Sequence, residues 1–281
     1  MDGIILINKE KGLTSRDVVN MVCKRLNTRR VGHTGTLDPI ATGLMILCVG
    51  EGLKLVELLT KHDKEYVAKV RVGIKTDTYD ITGKVVEENN NFNLDKDTLE
   101  NVLNSFIGEY YQTVPIYSSI KVNGKKLYEY ARNNLEVDLP KHLVKISDIS
   151  LLEFNKDNFT FKVNASSGTY IRSLINDIGE KLNIPMTMEE LKRTRVGDYS
   201  IIKASDIDNL KIIPIIDSIN IKKIEVDELL LKKISNGVRI NNIYNEDMVM
   251  FTYNNEPVSI YVRDNNILKS YRVFNKNKNE L

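Results

Sequence analysis

Gly32-His33-Thr34-Gly35-Thr36-Leu37-Asp38-Pro39-Ile40-Ala41-Thr42-Gly43 is a twelve-residue run of turn chemistry that carries one carboxylate, Asp38, and no other acid. Glycine permits positive φ and lets a second molecule approach the main chain closely. Pro39 restricts the residue before it to extended conformations, which holds the Asp38 side chain at a defined angle. A rigid loop with a single acid suits a nucleophile or a base, whereas a metal site needs several ligands. Asp-Pro and glycine-rich runs also serve as plain turn punctuation. This run is longer than one turn requires, and no Gly-Lys-Ser/Thr follows at the spacing of a phosphate loop.

Around the loop, the 281-residue chain has room for one large domain and one small one. Its 42% hydrophobic and 28% charged content is that of a globular protein. No apolar run approaches the roughly 18 residues of a membrane span. The N-terminal Met1-Asp2-Gly3-Ile4-Ile5-Leu6-Ile7-Asn8 has no basic region before its short apolar run, so it reads as a strand and not as a signal peptide. Cys23 and Cys48, the only cysteines, sit among apolar neighbours, which excludes a disulfide scaffold or a zinc quartet and points to a reducing cytoplasm.

A formal net charge of +2 says little about a nucleic-acid partner, but its distribution says more. Lys9, Lys11, Arg16, Lys24, Arg25, Arg29 and Arg30 face only Glu10 and Asp17 over one stretch, and Lys192-Arg193-Thr194-Arg195 forms a second cluster. Such clusters neutralise phosphates or, equally, decorate solvated helix faces.

Periodicity predicts a strand at Ile4–Ile7 and a helix from Thr14-Ser15-Arg16-Asp17, a capping pattern, to about Leu26. Leu44–Val49 reads as a buried strand and Leu53–Leu59 as a helix. From Tyr66 to Ile74 the chain alternates, with Tyr66, Ala68, Val70, Val72 and Ile74 on one face and Lys69, Arg71 and Lys75 on the other. Helices are expected at Asp95–Ile107 and Leu127–Arg132, and strands at Leu143–Phe154 and Asn158–Ala165. Ile171, Leu174, Ile175, Ile178 and Leu182 trace the clearest helical stripe. Segregated strands and helices without a regular βαβ repeat predict an α+β fold, with helices flanking a mostly antiparallel mixed sheet. Composition shifts after Ile213-Pro214-Ile215, so residues 1–215 are expected to form the main domain and 221–281 a small β-rich one. The polar tail from Asn275 onward is expected to fray.

The Asp38 run resembles the catalytic motif of the TruB-type pseudouridine synthases, and further motifs extend the resemblance over about residues 3 to 200. Lys64-Glu65-Tyr66 is similar to that family's Lys-x-Tyr, and Gly168-Thr169-Tyr170-Ile171-Arg172-Ser173-Leu174 to its Gly-Thr-Tyr-Ile-Arg-Ser-Leu. The resemblance implies a pseudouridine synthase-like sheet and a PUA-like RNA-binding module at 221–281. It makes Asp38 the catalytic residue and Arg172 its anionic group's partner. Physics alone already singles out Arg172, because a cation in the first turn of a helix opposes the dipole; an exposed arginine at a fraying end is the other explanation. Tyr66 is a core tyrosine by periodicity, and by resemblance a platform for a flipped base whose hydroxyl relays a proton.

Resemblance also implies that Tyr170 contacts the target uracil and that Leu191 lines the pocket. His33, at the family's Gly-His-x-Gly position, is implied to fill the space vacated by the flipped nucleotide, and as a lone histidine is otherwise a loop residue. Asp80, in Thr76-Asp77-Thr78-Tyr79-Asp80-Ile81-Thr82-Gly83, is expected to organise the site edge through hydrogen bonds; the later ligands of a calcium loop are missing. Ser118, Lys121, Gly124, Tyr128 and Arg132 fall at family spacing as support and RNA-contact positions. Lys9, Arg16, Arg29, Arg30, Lys121, Arg132 and Arg193 are the expected RNA contacts. Departures include Asn8-Lys9-Glu10 for the usual Asp-Lys-Pro, and Leu53, Val114, Ser119 and Lys192 for a Thr, Pro, Ala and Arg. They touch RNA contact and leave the catalytic set intact.

The implied reaction turns a uridine of the tRNA T-loop, position 55, into pseudouridine. Because it exchanges nothing with solvent except a proton, no cofactor or metal is expected. A cytoplasmic monomer without an obligate protein partner is expected, since short termini go with a stand-alone enzyme. A non-catalytic RNA-binding or tRNA-folding protein, or the catalytic subunit of an RNA-guided synthase, are the other readings.

Overall fold

Two short apolar runs, Ile4–Ile7 and Leu44–Val49, are hydrophobic at every position because the sheet they form is covered on both faces. In the computed structural model, which describes residues 1–274, they belong to a ten-stranded sheet. The strands run in the order Ile212–Pro214, Gly3–Lys9, Thr42–Val49, Met186–Val196, Lys64–Val72, Asn158–Ala165, Lys141–Phe154, Gly108–Thr113. Val31–His33 and Tyr199–Ser200 pair beside this path. Every pairing along the path is antiparallel except Thr42–Val49 with Met186–Val196. The fold is therefore α+β around a mostly antiparallel mixed sheet.

Side chains alternate across a strand, so odd and even residues enter different cores. Ile5, Ile7, Met45 and Leu47 meet Val18, Val22, Leu174, Ile175 and Ile178 from the helices Ser15–Arg25 and Ile171–Leu182. Ile4, Leu6, Leu44, Ile46 and Cys48 point the other way and pack with Ile215, Met250, Ile260 and Phe274. Those last residues belong to, or adjoin, a five-stranded sheet ordered Lys222–Glu225, Met248–Tyr253, Glu256–Asp264, Ile267–Val273, Ile240–Asn241. With the helix Glu228–Ser235 it encloses a core of its own at Val226, Ile234, Val249, Phe251, Tyr261 and Leu268. Arg272 joins this sheet to the segment near residue 55, donating to Lys54 O at 3.0 Å and pairing with Glu57 at 2.5 Å.

Local signals set most element ends. Thr14 caps the first helix through a capping box with Asp17. The stripe from Ile171 forms a helix over Ile171–Leu182, closed by Asn183 in the left-handed region. Three expectations are corrected. The Tyr66 strand stops at Val72, because Gly73 adopts φ +93° and turns Ile74 into a separate hairpin with Val85–Glu88. The segment read as a helix over Leu53–Leu59 is a 3₁₀ turn, Gly50–Leu55, followed by the short helix Val56–Thr60. The third helix spans Lys96–Asn104, with Asp95 as its cap and not its first turn. The tail from Asn275 lies outside the described residues. Among the described residues no helix is long and apolar enough to cross a membrane.

Candidate active site

Asp38 opens a tight turn. Ala41 N donates to Asp38 O at 3.0 Å, and Pro39 takes the second position, where its fixed φ is already correct. The turn is clamped from behind. Gly12 N donates to Pro39 O at 2.7 Å, and Ser15 Oγ accepts from Leu37 N at 2.9 Å and donates to Leu37 O at 3.2 Å. Of the three glycines, only Gly43 has a left-handed φ, +108°. It lies where the loop rejoins the sheet, and a Cβ there would sit 2.3 Å from Arg193 O.

Two expected RNA contacts belong to this clamp and are corrected. Lys9 is 1% exposed and donates to Leu13 O, Glu10 O and Pro39 O at 2.7, 3.0 and 3.4 Å. Arg193 is 2% exposed and donates to Leu44 O, Gly35 O and Thr36 O at 2.7, 3.1 and 3.4 Å. A buried cation needs its donors satisfied, and backbone carbonyls of the loop and of its neighbours do so here. Neither cation is free to meet a phosphate. Burial lowers the pKa of Lys9. Arg16, Arg29, Lys121 and Arg132 are exposed, Arg132 lying over the Tyr128 ring at 5.3 Å. Arg30 is exposed as well but pairs with Glu51 at 2.7 Å.

Arg172 sits in the first turn of the Ile171–Leu182 helix, buried, with its guanidinium surrounded by acceptors. Nε lies 2.9 Å from Asp38 Oδ2 and Nη2 3.4 Å from Asp38 Oδ1, a two-point contact. Nη1 donates to Thr78 O at 2.9 Å and stands 3.7 Å from Asp80 Oδ2, while Nη2 also donates to Tyr117 O at 3.0 Å. Asp80 is in turn held by Thr82 N at 3.0 Å and by the hydroxyls of Thr78 and Thr82. The two carboxylates offset the dipole that a first-turn cation opposes. The Asp38 side chain remains 34% exposed against 7% for Arg172, so the carboxylate keeps an open edge.

That edge faces a cleft of about 380 Å³ lined by Asp38, Tyr66, Tyr170, Arg172 and Leu191, with Ser118 and Tyr128 among the others. Tyr66 and Leu191 come from neighbouring strands and are nearly buried, whereas Tyr170 is half-buried and its phenol pKa is raised by that burial. Asp80 stands behind Arg172 and outside the lining. His33 is also outside it, on a strand paired with Thr42–Val49. Burial, then the charges of Arg193 and Arg16, push its pKa down, which favours the neutral ring.

Lys64 is a cleft residue that sequence reading quoted but did not assign. Its ammonium donates to Thr60 O and His62 O at 2.7 Å each and to Ser167 Oγ at 3.2 Å, and burial lowers its pKa to about 8. The available signal was parity: Lys64 shares the strand face of Tyr66 and Ala68, where a cation is out of place.

A family model described as TruB family pseudouridylate synthase (N terminal domain) matches residues 24–171. The tRNA pseudouridine synthase B of Fusobacterium nucleatum is 40% identical over 288 residues, covering 98% of this chain and 100% of that protein. The protein of the same name from Bacillus subtilis is 42% identical over 255 residues, covering 84% and 82%. Among solved structures, one titled as a Cbf5-Nop10-Gar1 complex aligns with a TM-score of 0.72 at 22% identity, covering 97% of this chain and 84% of that one. At that identity the likeness is one of fold.

Proposed function

We propose that Asp38 starts the reaction of this chain, which belongs to the TruB family of pseudouridylate synthases and isomerises a uridine of tRNA to pseudouridine. In that isomerisation the C1′–N1 bond breaks, the base turns and a C1′–C5 bond forms, while C5 loses a proton and N1 gains one. A base stacked in a folded RNA is out of reach of a carboxylate in a cleft, so the nucleotide is flipped out first.

The observation that carries this reading is the 2.9 Å contact of Arg172 Nε with Asp38 Oδ2 at the edge of the cleft. Attack on the sugar, attack on the base and removal of a sugar proton share one requirement, an ionised carboxylate facing the substrate. Arg172 holds that carboxylate in place through the two-point contact of its guanidinium. When RNA closes the cleft, water leaves and the pairing strengthens. Tyr66 stacks on the base and assists removal of the C5 proton, Tyr170 contacts the uracil, and Leu191 closes the apolar side. His33 supports the loop where the flipped nucleotide leaves space, and Asp80 holds Arg172 in place.

The target is read as position 55 of the T-loop, from resemblance. Residues 221–281 are read as a PUA-like RNA-binding domain beside the catalytic domain of 1–215. The exposed Arg16, Arg29, Lys121 and Arg132 are the phosphate contacts of this reading. The enzyme works in the cytoplasm as a monomer on bare tRNA. Asp38→Asn should bind tRNA yet release no tritium from tRNA labelled at uridine C5. Tritium release at the normal rate by that variant overturns the assignment.

A further inference from the structure

We propose that Gln112 is a positioning residue for this reaction, its buried amide setting the backbone of Tyr170 and, through it, the helix start that delivers Arg172 to Asp38. The proposal rests on the function proposed above.

Gln112 lies near the end of the edge strand Gly108–Thr113 and is 1% exposed. Its amide meets both polar groups of one peptide-bearing residue. Tyr170 N donates to Gln112 Oε1 at 2.8 Å, and Gln112 Nε2 donates to Tyr170 O at 3.1 Å. The side chain thus supplies the acceptor and donor that a further strand would have offered to Tyr170. The same Nε2 lies 2.8 Å from Tyr110 Oη, so all of the amide is engaged.

Tyr170 needs such a hold. It is the cap residue of the Arg172 helix, at φ −98° and ψ 111°, and its side chain makes no capping hydrogen bond because it faces the cleft. The loop before it contains Gly168, exposed and at φ +90°, with nothing within 4 Å of a would-be Cβ. Upstream of Gly168, Ser166 and Ser167 are tied to Lys145 and Thr60, and beyond it Thr169 closes back on Ser166, so the side-chain hold on the Tyr170 backbone is the one from Gln112. Downstream, Ser173 Oγ donates to Thr113 O at 2.9 Å, so the same strand end grips the helix on both sides of Arg172. Arg172 must satisfy acceptors at 2.9 to 3.7 Å simultaneously, a geometry that tolerates little displacement.

The test uses Gln112→Ala and Gln112→Glu in the full-length enzyme with C5-tritiated tRNA, under single-turnover conditions. A glutamate carboxylate accepts from Tyr170 N but repels Tyr170 O; protonated, it accepts and donates as the amide does. The titratable and charged groups around the position are Tyr110, Asp177 beyond it, His142 opposite in register, and Arg172 with Asp38. Each rate is therefore divided by the wild-type rate at the same pH. Gln112→Ala is expected to lose roughly 10- to 100-fold in rate with an unchanged Kd for tRNA. The relative rate of Gln112→Glu is expected to rise as pH falls from about 8 to about 5.5, as its buried carboxyl takes up a proton. A wild-type rate in Gln112→Ala, or a relative rate of Gln112→Glu that is flat with pH, overturns the proposal. If Gln112→Ala does not fold, the Gln112→Glu profile decides alone. Failure of the wild-type enzyme to release tritium would instead defeat the functional reading on which this rests.

Discussion

Arg172 Nε lies 2.9 Å from Asp38 Oδ2, although the two residues stand 134 positions apart in the chain. The contact is a meeting of two rigid mounts. Asp38 sits on a turn clamped by Lys9, Ser15 and Arg193, and Arg172 sits on the first turn of a helix held at Tyr170 and Ser173.

Arg172 uses its planar fork toward Asp38 and its remaining donors toward Thr78 O and Tyr117 O. Lysine is a point charge that cannot reproduce that set. Arg172→Lys is expected to lower turnover by about 100-fold while tRNA binding persists. Arg172→Met, which leaves Asp80 buried without its cation, should cost about 3 kcal/mol in urea unfolding. Turnover of Arg172→Lys close to the wild-type rate would contradict the positioning role of the fork.

Gly43 combines φ +108° with a Cβ position 2.3 Å from Arg193 O, in the short parallel contact that seats the Asp38 loop on the sheet. Gly43→Ala should therefore lose about 3 kcal/mol, read from the urea midpoint, because strain and clash add. Gly124→Ala, at φ +82° with open space around it, has strain alone and should lose about 1 kcal/mol. Equal losses at the two sites would show that the close approach at Gly43 is unimportant.

Burial separates the basic residues into two groups with different solution behaviour. Arg29→Gln should lower the slope of log K for tRNA against log salt by about 1, as expected for one lost phosphate contact. Lys9→Met and Arg193→Met should leave the slope unchanged and instead lower the melting temperature, because they remove donors to Pro39 O, and to Gly35 O and Thr36 O, of the Asp38 loop. A reduced slope in Arg193→Met would place that guanidinium on the RNA after all.

Asp177 has a carboxyl pushed up to about 6, first by burial and then by the charge of Glu180. Its folded pKa lies above the free value of 3.8, so the folded chain binds more protons than the unfolded one between the two. Stability therefore falls through this group as pH rises from about 4 to about 6. Asp177→Asn lacks that loss. Because the group is partly exposed, the variant should gain about 1 kcal/mol over wild type at neutral pH. The gain should vanish below about pH 4, where both side chains are uncharged. Thermal melts at the two pH values decide, and an equal gain at both would exclude titration of Asp177 as the cause.

Much of the architecture was legible in the chain because its signals are local. The Thr14 cap, the stripe from Ile171 and the alternation from Tyr66 each act over a turn or a few residues, and each predicted element forms, the Tyr66 strand spanning Lys64–Val72. The misplaced strand end at Gly73 has a local cause too, since a lone glycine in an alternating run is as compatible with a strand as with a break. The five residues quoted for the pocket, Asp38, Tyr66, Tyr170, Arg172 and Leu191, meet in one cleft, whereas His33 and Asp80 stand outside its lining.

By itself the sequence determined that a single carboxylate sits on a stiff loop, and that Arg172 stands where a helix would not choose a cation, because turn chemistry and the helix dipole act within a few residues. Only the tertiary structure decided which of the other cations meet solvent. Lys9 and Arg193 read as surface charge in one dimension, yet Lys9 is buried where Gly3–Lys9 ends beside Gly43 and Arg193 where Met186–Val196 runs parallel to Thr42–Val49, each reaching a carbonyl of the Asp38 loop. It also decided that Gln112 would grip Tyr170 from 58 residues away. Burial and hydrogen-bond partners across such separations are set by how the sheet closes, and no local pattern records them.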